Sequence, residues 1–142
     1  MSESVGLVGM GLMGQAFSKN LLDAGFNNLA RPILYGSYHP MSIAHAQDRG
    51  PVGDLEVVVG GPLCESGDVF TQGEGGTVLT RELPAALKVG DLLVFHDAGA
   101  YGASMSSNYN SRGLLPEWLW EDGQAWLIRR RQTIDDLLAL ED

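Results

Sequence analysis

Cysteine and lysine are scarce in this sequence of 142 residues, which has one cysteine and two lysines, Lys19 and Lys88. A single cysteine excludes an internal disulfide and a zinc site built from several thiolates. Positive charge is also sparse, and the formal net charge of −9 argues against a nucleic-acid partner. The three histidines are scattered, with no acid at ligand spacing, so we expect no metal site.

Long apolar runs are absent as well. No uninterrupted run reaches the roughly 18 residues that a membrane-spanning helix requires. The stretch from Val5 to Phe17 is apolar enough for a signal peptide, but Glu3 is the only charge before it and the basic start is missing. We therefore expect a cytoplasmic protein with no membrane partner.

Glycine, in contrast, is abundant, with 19 residues between short apolar runs. This pattern indicates many turns and a mainly β fold of one domain. Apolar runs at Leu55 to Val59 and Leu92 to His96 predict strands, and residues 33–35 predict an extended piece. Residues 117–129 alternate around Asp122-Gly123, which predicts a β-hairpin with a type I′ turn.

The two ends of the chain predict helices. Thr133 to Leu140 has the spacing of a short helix with Ile134, Leu137 and Leu138 facing inward. At the other end, a strand at 5–8 precedes a glycine motif and a helix at 15–24. A strand, G-x-G-x-x-G and helix in this order is the context of a dinucleotide site.

Residues 1–26 closely resemble the opening of the β-hydroxyacid dehydrogenases, such as 3-hydroxyisobutyrate dehydrogenase. The resemblance implies that Gly9, Gly11 and Gly14 contact an NAD(P) pyrophosphate. The ribose-binding acid expected about 20 residues later is missing, because Asp23 comes too early and the next acid is Asp48. Two interpretations stay open: an NAD(P) site, or a packed strand–helix turn with no ligand.

Three residues are candidates for a catalytic or binding role on the basis of their residue type and local sequence alone. Cys64 is either a buried small hydrophobe or, on a loop rim, a proton donor whose pKa lies nearer neutrality than that of a hydroxyl. Arg31, on the extended backbone expected before Pro32, is either a surface residue or a carboxylate clamp. Tyr101 lies in a loop of small residues. Its ring either fills one end of the β structure, or its hydroxyl contacts a phosphate or carboxylate.

Three runs in order, over residues 24–142, resemble the C-terminal domain of the pyridoxal-phosphate-dependent diaminopimelate decarboxylases: residues 29–35, 61–68 and 97–112. The resemblance implies a Greek-key β-barrel that follows a (β/α)8 barrel holding the cofactor on a lysine. It also implies an active site formed between the subunits of a dimer.

By the same resemblance, Cys64 would donate the proton after decarboxylation, and Glu65 would bind substrate across the dimer interface. Arg31 and Tyr35 would hold the distal end of the substrate. Tyr101 would contact both substrate and the phosphate of pyridoxal phosphate. The (β/α)8 barrel is absent, and neither lysine lies where the family has its anchoring lysine, so we expect this chain alone to bind no cofactor and to be inactive.

The sequence therefore predicts a mainly β protein, with a βα unit at 1–26 and a Greek-key barrel with a C-terminal helix at 27–142, in one folded unit. The predicted function is that of the C-terminal domain of a lysine-biosynthetic diaminopimelate decarboxylase. It would act as a homo-oligomer or with a partner chain that carries the cofactor barrel. The alternatives are a chimeric or engineered scaffold without native activity, or an NAD(P)-binding fragment. Trp118, Trp120 and Trp126 are candidates for a self-association patch.

Overall fold

The structure is a computed structural model that describes residues 24–44, 55–84, 87 and 89–141. The predicted N-terminal βα unit, with Gly9, Gly11 and Gly14, lies outside these residues, as do Lys19 and Lys88. The NAD(P) interpretation thus stays a prediction. In the described part, no helix is long and apolar enough to cross a membrane.

Within the described residues, six short strands pair antiparallel, two by two, in three separate ladders. The pairs are β1 (Met41–Ile43) with β4 (Leu93–Phe95), β2 (Leu55–Val57) with β3 (Arg81–Leu83), and β5 (Glu117–Glu121) with β6 (Gln124–Arg129). The prediction of a mainly β protein is confirmed. The expected closed Greek-key barrel is not seen in the described residues, because no hydrogen-bonded ladder there joins one strand pair to another.

One hydrophobic core lies between the first two ladders. Each of β1, β2 and β3 turns its last residue inward: Ile43, Val57 and Leu83. The ring of Phe70 packs on that of Phe95 with centroids 4.7 Å apart, a favourable aromatic separation. The buried hydrophobic cluster consists of Leu29, Ile43, Val57, Val59, Phe70, Leu83 and Leu93.

The segment Arg31–Tyr35 is a short helix, α1, and not the extended piece that the sequence predicted. Pro32 lies in its first turn, where a missing N–H breaks no bond and the fixed φ of proline suits a helix. Gly36 ends the helix in the left-handed conformation, with φ of 62°. Arg31 therefore lies at the start of a helix and not on the extended backbone that the sequence predicted.

The predicted hairpin and C-terminal helix are both present. Asp122 and Gly123 have positive φ values of 50° and 74°, as the turn requires. The helix α2 covers Ile134–Leu138. Its orientation was predicted wrongly for two residues, since Ile134 is 72% exposed and Leu138 55%. An amphipathic spacing shows which side chains share a face, but only a neighbouring element can bury that face.

Candidate functional site

The loop from Gly61 to Asp68 is built around a buried carboxylate. Asp68 is only 4% exposed and accepts hydrogen bonds from the backbone N–H of Leu63 at 2.8 Å and of Phe26 at 2.7 Å. Burial raises the pKa of Asp68, and the two backbone donors oppose that rise. A side chain at Gly61 would collide with the Asp68 carboxylate, so glycine is required there. The carboxylate thus ties this loop to the turn that precedes α1.

Cys64 and Glu65 lie at the tip of this loop, and both are exposed. The structure therefore favours the loop-rim placement of Cys64 over the buried hydrophobe. One oxygen of Glu65, Oε1, accepts from the Gly67 backbone N–H at 3.1 Å and from Ser66 Oγ at 3.3 Å. The Gly67 N–H, followed by the Ser66 hydroxyl, holds the pKa of Glu65 below its ordinary value. The site thus presents an ionised carboxylate directly beside a thiol.

Tyr109 completes this group, although sequence reasoning assigned it no role. Its hydroxyl donates to Glu65 Oε2 at 3.4 Å, and its ring lies against Phe26 with centroids 4.8 Å apart. The only sequence signal was its position within the third family-like run, between Asn108 and Asn110. Proximity across 44 residues of chain could not be inferred from that signal.

Three of the predicted site residues form a second group. The Arg31 guanidinium carbon lies 5.1 Å from the ring centroid of Tyr101 and 5.4 Å from that of Tyr35. These distances are within the range of cation–π attraction. Tyr101 has a φ of 62°, a strained value for a residue with a side chain, and strain of this kind concentrates at functional sites.

The two groups share one face of the protein because their loops pack on the same short segment. A Cβ added at Gly67 would lie 2.8 Å from Ile33 Cδ1, so the 61–68 loop contacts α1 closely. The third run is fastened to the same place, since Ser107 N–H donates to Asn27 O at 2.8 Å. The turn at 25–28 and α1 thus join all three family-like runs.

This face is open. Tyr35 and Tyr101 are 60% and 58% exposed. A cavity of about 370 Å³ lies between the core and the base of the hairpin, with Leu29, Phe95 and Leu115 among its mostly apolar lining. None of the predicted site residues that the structure describes (Arg31, Tyr35, Cys64, Glu65 and Tyr101) lines that cavity. Chemistry that needs water excluded would require a second body to cover the open face.

One described group suits the phosphate of pyridoxal phosphate: the side chain of Tyr101 is exposed, and a tyrosine hydroxyl can donate to a phosphate. The part of the chain that the structure describes contains no lysine to anchor pyridoxal phosphate. It also contains no group of three His, Cys, Asp or Glu side chains that could hold a metal.

Comparisons with known proteins show the family of this chain. The family model described as "Pyridoxal-dependent decarboxylase, C-terminal sheet domain" matches residues 16–99. Diaminopimelate decarboxylase of Escherichia coli K12 is 67% identical over 123 residues, which are 85% of this chain and 29% of the relative. The chain thus spans less than a third of that enzyme.

Solved structures show the same relationship. A crystal structure of diaminopimelate decarboxylase matches with a TM-score of 0.83 at 60% identity, over 96% of this chain and 33% of that one. The Helicobacter pylori diaminopimelate decarboxylase complexed with L-lysine matches with a TM-score of 0.75 at 34% identity, over 96% and 31%. The chain belongs to the C-terminal sheet-domain family of the pyridoxal-dependent decarboxylases.

Proposed function

We propose that this chain supplies the C-terminal half of a diaminopimelate decarboxylase active site and acts with a second body that carries pyridoxal phosphate. The observation that carries the proposal is the open face, on which Arg31, Tyr35 and Tyr101 form one group and Cys64 lies beside Glu65. The family membership and the short span relative to full-length relatives support it. The Greek-key barrel would be completed in the same assembly.

Each side chain has a role that its chemistry suits. Glu65, held ionised, would bind a substrate ammonium group, and Arg31 would bind the distal carboxylate, with Tyr35 beside it. Tyr101 would reach both substrate and cofactor phosphate through its hydroxyl. The cofactor supplies the electron sink for loss of carbon dioxide. Cys64 would then donate a proton from Sγ to the substrate carbon, since its thiol is free and exposed.

Co-expression tests the proposal. The partner is the cofactor-binding barrel of a diaminopimelate decarboxylase from which the C-terminal domain has been removed. We expect the two chains to purify together and to form lysine from diaminopimelate, while either chain alone forms none. Cys64→Ala should lower turnover by roughly 100-fold or more, as expected for loss of a general acid. The control Thr80→Ala, at an exposed position away from the site, should leave turnover unchanged.

Two outcomes would contradict the proposal. If the chains fail to associate, they do not form an active site together. An associated complex whose turnover is unaffected by Cys64→Ala would remove the thiol from the mechanism. The NAD(P)-binding alternative remains a separate prediction for residues 1–26, and no observation in the described residues favours it.

A further inference from the structure

We propose that Tyr109 is the positioning residue of Glu65: its hydroxyl orients the second carboxylate oxygen. The effect on substrate binding rests on the function proposed above. The orientation itself is a property of this chain and can be measured without any reaction.

The two oxygens of Glu65 are held from different parts of the chain. Oε1 is bound locally, by Ser66 and Gly67 of its own loop. Oε2 is bound by Tyr109, from the third family-like run. The carboxylate is planar, so rotation about the Cγ–Cδ bond moves both oxygens together. The bond from the tyrosine hydroxyl to Oε2 therefore restrains this rotation from the side opposite to the local bonds.

The tyrosine ring is itself held in place on its inner side. It packs on Phe26, whose backbone N–H is bound by the buried Asp68. The same carboxylate shapes the loop that carries Glu65, because it also accepts from the N–H of Leu63. Asp68 thus bonds both to Phe26, on which the Tyr109 ring packs, and to the loop that carries Glu65. One buried carboxylate therefore restrains the separation between the Tyr109 hydroxyl and the Glu65 carboxylate.

The backbone after Tyr109 is held in an unusual conformation. Asn110 and Ser111 have φ values of 56° and 55°, in the left-handed region that residues with side chains seldom adopt. The Asn108 side-chain amide fastens this turn by donating to Arg112 O at 2.9 Å and to Gln132 Oε1 at 2.6 Å. A strained turn held by such bonds is consistent with a side chain placed for function.

The protonation states suit this role. Burial, followed by the negative charge of Glu65, raises the pKa of Tyr109, so its hydroxyl remains a donor at neutral pH. A hydrogen bond to the charged form of a carboxyl group favours that form. The hydroxyl therefore contributes to the lowered pKa of Glu65, after the contributions of Gly67 and Ser66.

Titration of the Glu65 side-chain carboxyl by ¹³C NMR tests the proposal on this chain itself. Tyr109→Phe removes the hydroxyl and keeps the ring that contacts Phe26. We expect the pKa of Glu65 to rise toward its ordinary value of 4.5. The matched control is Tyr38→Phe. The centroid of the Tyr38 ring lies 4.4 Å from the guanidinium carbon of Arg81, so this tyrosine packs on a different residue. That variant should leave the titration of Glu65 unchanged.

Identical titration curves for Glu65 in the wild-type chain and in Tyr109→Phe would overturn the proposal. In the co-expressed complex, Tyr109→Phe should raise KM for diaminopimelate more than it lowers kcat, because it acts through substrate binding. If the complex shows no turnover, the proposed function fails, and the NMR titration still decides the role of Tyr109.

Discussion

At the scale of single residues, the buried carboxylate of Asp68 joins two segments of the chain. Its carboxylate is nearly inaccessible, yet it bonds to two backbone donors from segments 37 positions apart, Phe26 and Leu63. Removing it leaves both N–H groups without their acceptor, that of Phe26 in a part-buried place and that of Leu63 in a buried one. A lost acceptor of this kind typically destabilises by about 1–3 kcal/mol for each donor.

We expect Asp68→Ala to lower the free energy of unfolding by roughly 3 kcal/mol, for the two donors together. Urea denaturation followed by fluorescence measures this. The control is Glu121→Ala, which removes an exposed acid and should change stability by less than about 0.5 kcal/mol. Equal stability of the two variants would show that water replaces the Asp68 carboxylate at no loss.

At the scale of secondary-structure elements, the short helix α2 depends on its N-terminus. Thr133 and Asp136 form a reciprocal capping box. Asp136 also receives two bonds from the Arg130 guanidinium, at 2.5 and 2.7 Å. These Arg130 bonds, followed by those from Thr133, hold the pKa of Asp136 far below its ordinary value of 3.8. A helix of five residues has little stability of its own, so this network determines whether it forms.

The network makes a stability contribution that depends on pH. Because folding lowers the pKa of Asp136, the unfolded chain takes up its proton first as pH falls. The contribution is therefore fully present above about pH 5, where the unfolded carboxyl is ionised, and is lost on further acidification. We expect the stability difference between the wild-type chain and Asp136→Asn to shrink from pH 5 to about pH 2 in urea denaturation.

The matched control for that prediction is Asp135→Asn. It removes the same charge from the same helical turn and leaves the capping box intact. A stability difference for Asp136→Asn that does not vary with pH would show that the Arg130 and Thr133 bonds do not form in solution.

At the scale of the whole molecule, the hairpin β5–β6 has exposed apolar residues on both faces. Its strands pair only with each other among the described residues. An isolated two-stranded hairpin is marginal in water, and apolar surface of this extent is typical of an interface. The exposed large side chains are Trp118, Leu119, Trp120, Trp126, Leu127 and Ile128.

We therefore expect the isolated chain to self-associate through this hairpin. In sedimentation velocity, the wild-type sedimentation coefficient should rise with protein concentration. Replacing Trp118, Trp120 and Trp126 together with serine should abolish that rise, because the apolar contact area is lost. Val89→Ser, at an exposed apolar residue in another segment, is the control and should associate as the wild-type chain does. A concentration-independent monomer would contradict the expectation.

Much of the fold and of the site could be predicted because the signals were local. The Asp122-Gly123 turn requires positive φ at adjacent positions, and the spacing after Thr133 indicates a helix. The three family-like runs similarly indicated Cys64 and Arg31 as candidate site residues, which stays a prediction. The helical state of Arg31–Tyr35 was missed because proline is compatible with both an extended chain and a first helical turn.

Turn chemistry, helix spacing and the three runs required only the order of residues along the chain. Family membership could be inferred from them for that reason. Three placements depend instead on contacts between distant segments. The Tyr109 hydroxyl bonds to Glu65, the Arg31 guanidinium lies near two tyrosine rings, and the Asp68 carboxylate bonds to the backbone of Phe26 as well as that of its own loop. Such contacts arise only when a common core brings those segments together, so only the tertiary structure could show which of these side chains meet and that Tyr35 and Tyr101 stay exposed.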